Sequence, residues 1–149
     1  MKKLFISILL CFMCTIHVQA SFLTDDPVAY FKVGKSNVST TYINFWQTSV
    51  LRYDPPFYII QGNIITESYE YGNIVSITYN FMYDYNRQIV FGKPVLATYY
   101  DAYGNILNTM SLTNDSLVKI SKNTSGGVAA DMYFLANYHM PFYKQDSKV

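Results

Sequence analysis

The chain has 149 residues, and its 11 Lys and Arg side chains nearly balance its 10 Asp and Glu side chains. A near-neutral chain has no electrostatic reason to bind nucleic acid or an anionic membrane, so we expect neither as a partner. The 15 Tyr and 10 Phe residues favour pleated, half-buried surfaces, which predicts a mostly β protein.

Residues 1–20 have the three-part layout of a secretory signal peptide. Lys2 and Lys3 begin it, residues 4–18 form an almost unbroken apolar run, and Val18-Gln19-Ala20 provides a small-residue cleavage signal before Ser21. The apolar run is shorter than the roughly 20 residues of a membrane-spanning helix, so an uncleaved anchor is the less favoured alternative. We therefore expect an exported protein, in the periplasm, at the cell surface or outside the cell, with no stable membrane insertion after cleavage.

Cleavage would also remove both cysteines, Cys11 and Cys14. The remaining chain would then have no disulfide, no thiolate zinc site and no cysteine nucleophile. We expect it to form one domain over residues 21–142, followed by a tail at 143–149 that frays. The twin-lysine signal favours a bacterial source.

The first part of this domain is predicted to contain only short elements. Residues 21–28 read as an irregular lead-in, residues 29–33 and 40–46 as two strands, and residues 50–53 as a brief extended piece. Pro55 and Pro56 then exclude a central strand and mark a corner.

Two long strands, residues 57–67 and 74–83, follow as a hairpin with a Gly-Asn turn. Gly62 interrupts the first strand, which indicates a bulge or a close backbone contact. The second strand alternates strictly, and its other face is polar except for Met82, so we expect one covered face and one that can meet water. The apolar residues of this alternation are Val75, Ile77, Tyr79, Phe81 and Tyr83.

A further hairpin is predicted from residues 95–100 and 106–112, after a turn at 84–87. Residues 101–105 have Asp first and Gly fourth, the order of a type I turn followed by a left-handed glycine. Residues 113–125 are polar and predict a loop.

From Val128 the apolar period changes to that of a helix about three turns long. Ser125 is placed to cap its start, and Pro141 limits its end. The predicted stripe contains Val128, Met132, Leu135 and His139, with Ala129, Tyr133 and Ala136 at the same spacing.

The predicted fold is α+β and mostly β: a twisted antiparallel meander with one face covered by the C-terminal helix. A sheet with one apolar side must bury it against another layer, and this helix is the only visible candidate. A partly closed small barrel with the helix plugging one end is the alternative, which the sequence leaves open.

Three short motifs resemble those of the surface-adhesin E-like family of small exported bacterial domains. They are Phe31-Lys32-Val33-Gly34, Tyr42-Ile43-Asn44 with Ser49-Val50 after it, and the 100–106 segment Tyr-Asp-Ala-Tyr-Gly-Asn-Ile. The resemblance covers roughly residues 31–112, and it implies a secreted or surface domain without known catalysis.

Catalytic, cofactor and metal sites are not predicted. The 29–36 segment, which ends in Gly34-Lys35-Ser36, lacks the following helix of a phosphate-binding loop. His139 is the only histidine after residue 20, and it has no partner motif for a triad or a zinc site. Asp54, Asp84 and Asp101 occupy turn positions, and Glu67 and Glu70 flank a hairpin turn. Turn chemistry and solvation explain these carboxylates without catalysis or calcium binding.

Tyr69, Tyr71 and Tyr103 are the predicted binding residues. They lie at the tips of two hairpins that, in a meander, turn at the same end of the sheet. Tyrosine is a favoured contact residue because it offers a large area and has little rotamer freedom to lose. The competing interpretation is that these tyrosines only pack over their own turns.

The predicted function is that of a non-enzymatic exported domain, a binding or adhesion-type module at the bacterial cell envelope, with an unknown protein or envelope polymer as partner. The alternative is an inhibitor or accessory module of an envelope enzyme. A hydrolase is the weakest reading, because no nucleophile–base pair or metal set can be assembled from the residues present.

Overall fold

The computed structural model of the chain describes residues 21–112 and 116–144. These residues form a mostly β structure with one open antiparallel sheet and a C-terminal helix packed on it, which confirms the predicted fold class. The eight strands are β1 (Tyr30–Lys35), β2 (Ser39–Asn44), β3 (Ser49–Asp54), β4 (Phe57–Ser68), β5 (Ile74–Asp84), β6 (Ile89–Tyr100), β7 (Ile106–Ser111) and β8 (Val118–Ile120).

Three long strands, β4, β5 and β6, make the centre of the sheet, and each border is made of short strands. On one side β2 and β3 pair with opposite halves of β4, and β1 extends the sheet beyond β2. On the other side β7 and β8 pair with opposite halves of β6. The borders do not meet, so the barrel alternative is wrong and the open meander is correct.

The ladders that hold β1, β3 and β7 each carry one break in register. The shifts fall between Lys32 and Gly34 in β1, between Val50 and Arg52 in β3, and opposite Tyr99 and Tyr100 of β6 for β7. Such bulges bend an edge strand and increase its twist.

The two predicted hairpins are present. Glu67 pairs with Ile74 across the first turn, and Tyr100 pairs with Ile106 across the second. Gly72 and Gly104 have φ values of +60° and +89°, which glycine adopts without steric cost. The turn-forming residues of the sequence therefore predict the positions of both turns correctly.

Gly62 marks a close contact and not a bulge, since the β4–β5 register runs unbroken through it. A Cβ atom at this position would come within 2.6 Å of the Tyr133 ring. The glycine thus lets a buried helix residue lie directly on the strand.

Several expectations for the short elements are wrong. The lead-in contains a helix, α1 (Phe22–Asp25), and Trp46 belongs to a 3-10 turn, Phe45–Gln47, instead of β2. β6 begins at Ile89, six residues before the predicted start. The predicted loop, residues 113–125, contains β8. Residues 113–115 of that loop lie outside the described residues. Three-residue and four-residue elements are too short to show a hydrophobic period.

The C-terminal helix, α2 (Ser125–Tyr138), begins one residue earlier than expected from the Ser125 cap. Thr124 is the N-cap residue, and its hydroxyl accepts a hydrogen bond from the Gly127 N–H. His139 ends the helix in a left-handed conformation, and its N–H donates to the Leu135 carbonyl at 2.8 Å.

The predicted helical stripe is only partly correct. Val128 and Leu135 are exposed, so that row does not face the sheet. Apolar residues of α2 occur on most sides of the helix. The sequence alone therefore does not show which side packs against the sheet. The residues that are buried are Gly127, Ala129, Ala130, Tyr133 and Phe134.

Two hydrophobic clusters lie on opposite faces of the sheet. Ile60 and Ile65 are five apart on β4, and Ile74 and Phe81 are seven apart on β5, so the members of each pair point to opposite sides. We call the side of Ile60 and Phe81 the α2 face, and the side of Ile65 and Ile74 the α1 face. Both faces are therefore covered, in regions that overlap at the middle of the sheet, where Ile64 and Ile65 belong to different clusters. The alternation in β5, in contrast, predicts a single covered face.

The cluster on the α2 face is large and aromatic. Phe134 of α2 contacts the rings of Tyr58, Tyr83 and Phe142, with centroids 5.0–5.3 Å apart. The cluster on the α1 face is small: Leu23 is fully buried with Tyr42, Ile65 and Ile74. The larger cluster thus fixes α2, and the smaller one fixes the lead-in.

The first residues assigned to the tail are held in place. Tyr143 packs on Phe142 with ring centroids 4.9 Å apart, and its N–H donates to the Asp131 carboxylate at 3.1 Å. The predicted fraying of residues 145–149 lies outside the described residues. Among the described helices, none is long and apolar enough to cross a bilayer.

Candidate functional site

Three hairpin turns lie side by side at one end of the sheet. They comprise residues 36–38, 69–73 and 101–105, and we call their combined outer surface the hairpin-tip surface. Their adjacency follows from the register, because Ser39 pairs with Ser68, and Ile74 pairs with both Glu67 and Tyr100. The sequence placed two of these turns together; the β1–β2 turn is the third.

The middle turn is tied to its own strands and to its neighbour. The Ser68 N–H donates to the Asn73 carbonyl, and the Gly72 N–H donates to the Ser68 carbonyl, both at 3.0 Å. The Tyr69 N–H donates to the Val38 carbonyl of the β1–β2 turn at 2.9 Å. Main-chain hydrogen bonds therefore connect two of the three tips.

The third turn is organised by Asp101. Its carboxylate accepts hydrogen bonds from the Tyr103 and Asn105 N–H groups, each at 2.9 Å, and from the Asn105 side-chain amide at 2.8 Å. The Asn105 amide, followed by these main-chain donors, lowers the pKa of the exposed Asp101 carboxyl. This carboxylate is thus used to build the turn.

Helix α1 supports the third turn from behind. The Phe22 N–H donates to the Ala102 carbonyl at 3.2 Å, and the Phe22 ring lies where a side chain at Gly104 would otherwise project. The same ring contacts Tyr30 and Tyr100, with centroids at 5.3 and 5.7 Å. The turn is therefore packed against a buried cluster.

The three predicted binding tyrosines are all on this surface, but they differ. Tyr71 and Tyr103 are 73% and 74% exposed. Tyr69 is 47% exposed, and its hydroxyl is hydrogen-bonded to the Thr40 hydroxyl. Tyr69 therefore does part of the packing that the competing interpretation requires, whereas Tyr71 and Tyr103 offer most of their rings to solvent.

Acidic side chains gather at the same end. These acidic residues lie in or next to the 69–73 and 101–105 turns, or at the end of α1 and directly after it. Among the described residues they make up five of the eight carboxylates: Asp25, Asp26, Glu67, Glu70 and Asp101. Lys35, at the end of β1 directly before the β1–β2 turn, offsets part of this negative charge.

The other residues considered for chemistry have structural roles. Asp84 accepts from the Arg87 N–H at 3.0 Å, Asp54 pairs with Arg52, and His139 is the helix C-cap. Gly34 lies within β1 against Ser125, and a turn follows it, not a helix. Within residues 21–112 and 116–144, no group of three His, Cys, Asp or Glu side chains is placed to hold a metal ion.

Val38 belongs to the hairpin-tip surface and was not predicted to do so. It is exposed beside Tyr69, at the tip of the β1–β2 turn. Gly34 to Asn37 signal a turn, but only the strand order shows at which end of the sheet that turn lies.

Comparisons with protein-family models, with curated proteins and with solved structures found no match.

Proposed function

We propose that the protein is an exported, non-enzymatic binding module of the bacterial cell envelope, and that it engages a protein or polymer partner through the hairpin-tip surface. The observation that carries this proposal is the placement of Tyr71 and Tyr103. Each is about three-quarters exposed on a turn that is anchored by hydrogen bonds, and the two turns are neighbours.

Exposed tyrosines on hydrogen-bonded turns are well suited to recognition. A tyrosine ring combines a large apolar area with a hydroxyl that forms hydrogen bonds, and it loses only two torsions on binding. Turns that are already ordered add no further entropy cost when a partner binds. Tyr69 contributes less, because its hydroxyl is engaged with Thr40.

Export is supported by the sequence of residues 1–20 and by the resemblance of residues 31–112 to surface-adhesin E-like domains. A non-enzymatic role is supported by how the candidate acids are used. The carboxylates of Asp84 and Asp101 accept main-chain hydrogen bonds within their own turns, and Asp54 is in an exposed ion pair with Arg52.

The test is a capture experiment with two matched double variants. The tip variant is Tyr71→Ser with Tyr103→Ser. The control is Val28→Ser with Trp46→Ser, because these side chains are 74% and 76% exposed and lie outside the three turns. Envelope extracts, whole cells and insoluble wall material from the protein's own source are the three baits.

We expect the control to retain what the wild type binds and the tip variant to lose it. Retention on cells or wall material indicates an adhesion-type module. A stoichiometric complex with a single enzyme from the extract indicates the inhibitor or accessory role instead. Equal capture by wild type and tip variant would show that the hairpin-tip surface is not the binding site.

A further inference from the structure

A concave, positively charged site lies at the end of the sheet opposite the hairpin-tip surface. It has a volume of about 590 Å³. We call it the basic cleft, and the residues that define it are Arg87, Gln88, Lys119, Lys122, Tyr143 and Lys144. They come from the β5–β6 turn, from β8 and the turn after it, and from the segment that follows α2.

The cleft is rich in positive charge, although the chain as a whole is nearly neutral. Four of the eight Lys and Arg side chains in the described residues line it, and none of the described Asp or Glu side chains does. Two described carboxylates lie beside the cleft, and one of them offsets part of the charge of Arg87. Asp84 lies 3.7 Å from the Arg87 guanidinium, and Asp131 accepts the Phe142 and Tyr143 N–H groups.

Two of these lysines are positioned by aromatic rings. The Lys122 ammonium lies 5.6 Å from the centre of the Tyr143 ring, and the Lys144 ammonium lies 5.8 Å from the centre of the Tyr85 ring. These are cation–π distances. The Lys144 N–H also donates to the Gln88 side-chain carbonyl at 2.7 Å, which fixes the C-terminal segment to the β5–β6 turn. Ring contacts therefore position two of the four cations, Lys122 and Lys144, whereas the Arg87 side chain is 79% exposed.

We propose that the basic cleft binds a soluble anion that carries two or more phosphate groups. The positive side chains around the cleft repel each other. A bound multivalent anion offsets this repulsion, because each cation is attracted to the anion. The Arg87 guanidinium offers a planar fork to phosphate oxygens, and the lysines offer point charges. The volume lies within the range of small-ligand pockets, about 300–1,000 Å³. This site is separate from the hairpin-tip surface and does not depend on its function.

The concave shape favours a soluble ligand over a membrane surface. Attachment to a bilayer uses basic residues spread over an accessible plane, often beside an apolar face that inserts. Here the basic residues surround a cleft, and the aromatic side chains near them, Tyr85 and Tyr143, pack on the core of the domain.

The test is a titration of the full chain with tripolyphosphate, followed by calorimetry at low and high salt. The variant is Lys122→Gln with Lys144→Gln. The control is Lys32→Gln with Lys35→Gln, which removes the same net charge from two exposed lysines of β1. Thermal unfolding without ligand checks that both variants fold like the wild type, and Arg87→Gln serves as an independent variant.

We expect the cleft variant to bind tripolyphosphate at least about tenfold more weakly than the wild type, because two charge-assisted hydrogen bonds are lost. The control should stay within about twofold, and the affinity of the wild type should fall as salt rises. The Tyr71→Ser/Tyr103→Ser variant should bind tripolyphosphate like the wild type, which separates this site from the hairpin-tip surface.

Three results would overturn the proposal. The first is no binding of tripolyphosphate by the wild type. The second is equal weakening in the cleft variant and the control, which would indicate net charge alone. The third is binding to vesicles of phosphatidylcholine with phosphatidylglycerol in the absence of any binding to tripolyphosphate, which would assign the cleft to a membrane surface.

Discussion

The two ends of the sheet are stabilised from opposite sides and by very different amounts of packing. At the hairpin-tip end, the four-residue helix α1 covers the α1 face with Leu23 and Phe22. The 14-residue helix α2 begins against Gly34 of β1 and crosses the α2 face, and towards the other end it packs in a continuous aromatic cluster around Phe134. The comparison indicates that the α2 end carries most of the stability, whereas the hairpin-tip end is a lightly packed platform that presents side chains.

The ends also differ in charge. Five described carboxylates lie at the hairpin-tip end, and four described cations line the basic cleft at the other. The two signs are only partly segregated, because Lys32 and Lys35 lie on β1 near the hairpin-tip end, and Asp84 and Asp131 lie beside the basic cleft.

The sharpest test of unequal packing is Phe134→Ala. Phe134 is fully buried and contacts five aromatic rings, so its loss removes a large apolar area and leaves a cavity. We expect the free energy of unfolding to fall by about 3–5 kcal/mol. Chemical denaturation measures it. A loss below that of the next variant would contradict the comparison.

Leu23→Ala is the corresponding test at the hairpin-tip end, where a smaller side chain is removed. Leu23 is also fully buried, but its cluster is small, so we expect a loss of about 2–3 kcal/mol. Hydrogen exchange should show lower protection near Tyr42, Ile65 and Ile74, while α2 keeps its protection. Equal loss of protection at both ends would show that the two clusters unfold as one unit.

Alkaline pH should destabilise both ends, because burial also raises the pKa of Tyr30 and Tyr42 in the α1-face cluster, but the α2 face holds the two fully buried tyrosines Tyr83 and Tyr133. Burial raises the pKa of Tyr83 and of Tyr133, so their folded-state pKa values exceed the unfolded value of about 10. Their contribution to stability is complete below pH 10 and is lost as pH rises above it, by about 1.4 kcal/mol per tyrosine and pH unit.

Tyr133→Phe is the variant that checks this pH dependence. Above pH 10 its stability should fall less steeply than that of the wild type, as measured by denaturation at a series of pH values. At neutral pH it should cost about 1–3 kcal/mol, because the hydroxyl donates to the Asn63 carbonyl and accepts from its N–H. An unchanged slope would show that Tyr133 ionises freely in the folded protein.

The smallest effect is expected for Tyr138→Phe. The Tyr138 hydroxyl is buried and has no hydrogen-bond partner within residues 21–112 and 116–144. Its removal should leave stability unchanged or raise it slightly. Tyr83→Phe is the control, since that hydroxyl donates to the Ala130 carbonyl at 2.8 Å, and we expect it to lose about 1 kcal/mol. Equal thermal midpoints for the two variants would contradict this assignment.

The long hairpins could be predicted from sequence because alternation and turn residues are local signals. The change of covered face along the sheet could not be predicted from the sequence. Ile74 and Phe81 are both apolar, and only the tertiary structure shows that α1 covers Ile74 and α2 covers Phe81. Lead-in and loop elements of three or four residues show no hydrophobic period, so the sequence does not reveal α1 or β8.

The sequence places the three hairpin-tip tyrosines at one end of the sheet because a meander fixes where hairpins turn. Their different exposure depends on Thr40, which lies 29 residues from Tyr69 in the chain. The basic cleft unites residues from 87 to 144, so no short window of sequence reveals it.

The interrupted borders of the sheet bear on how the protein behaves when many copies are crowded together. An exposed strand is a template on which another chain can add by main-chain hydrogen bonding, and long flat templates promote polymerisation. Within the described part of the chain, no outer strand exceeds six residues, and β1, β3 and β7 each carry a bulge. These borders therefore do not offer a second copy of the chain a long row of main-chain donors and acceptors. The exposed side chains of Val50, Leu51, Ile106 and Leu107 nevertheless make both borders apolar.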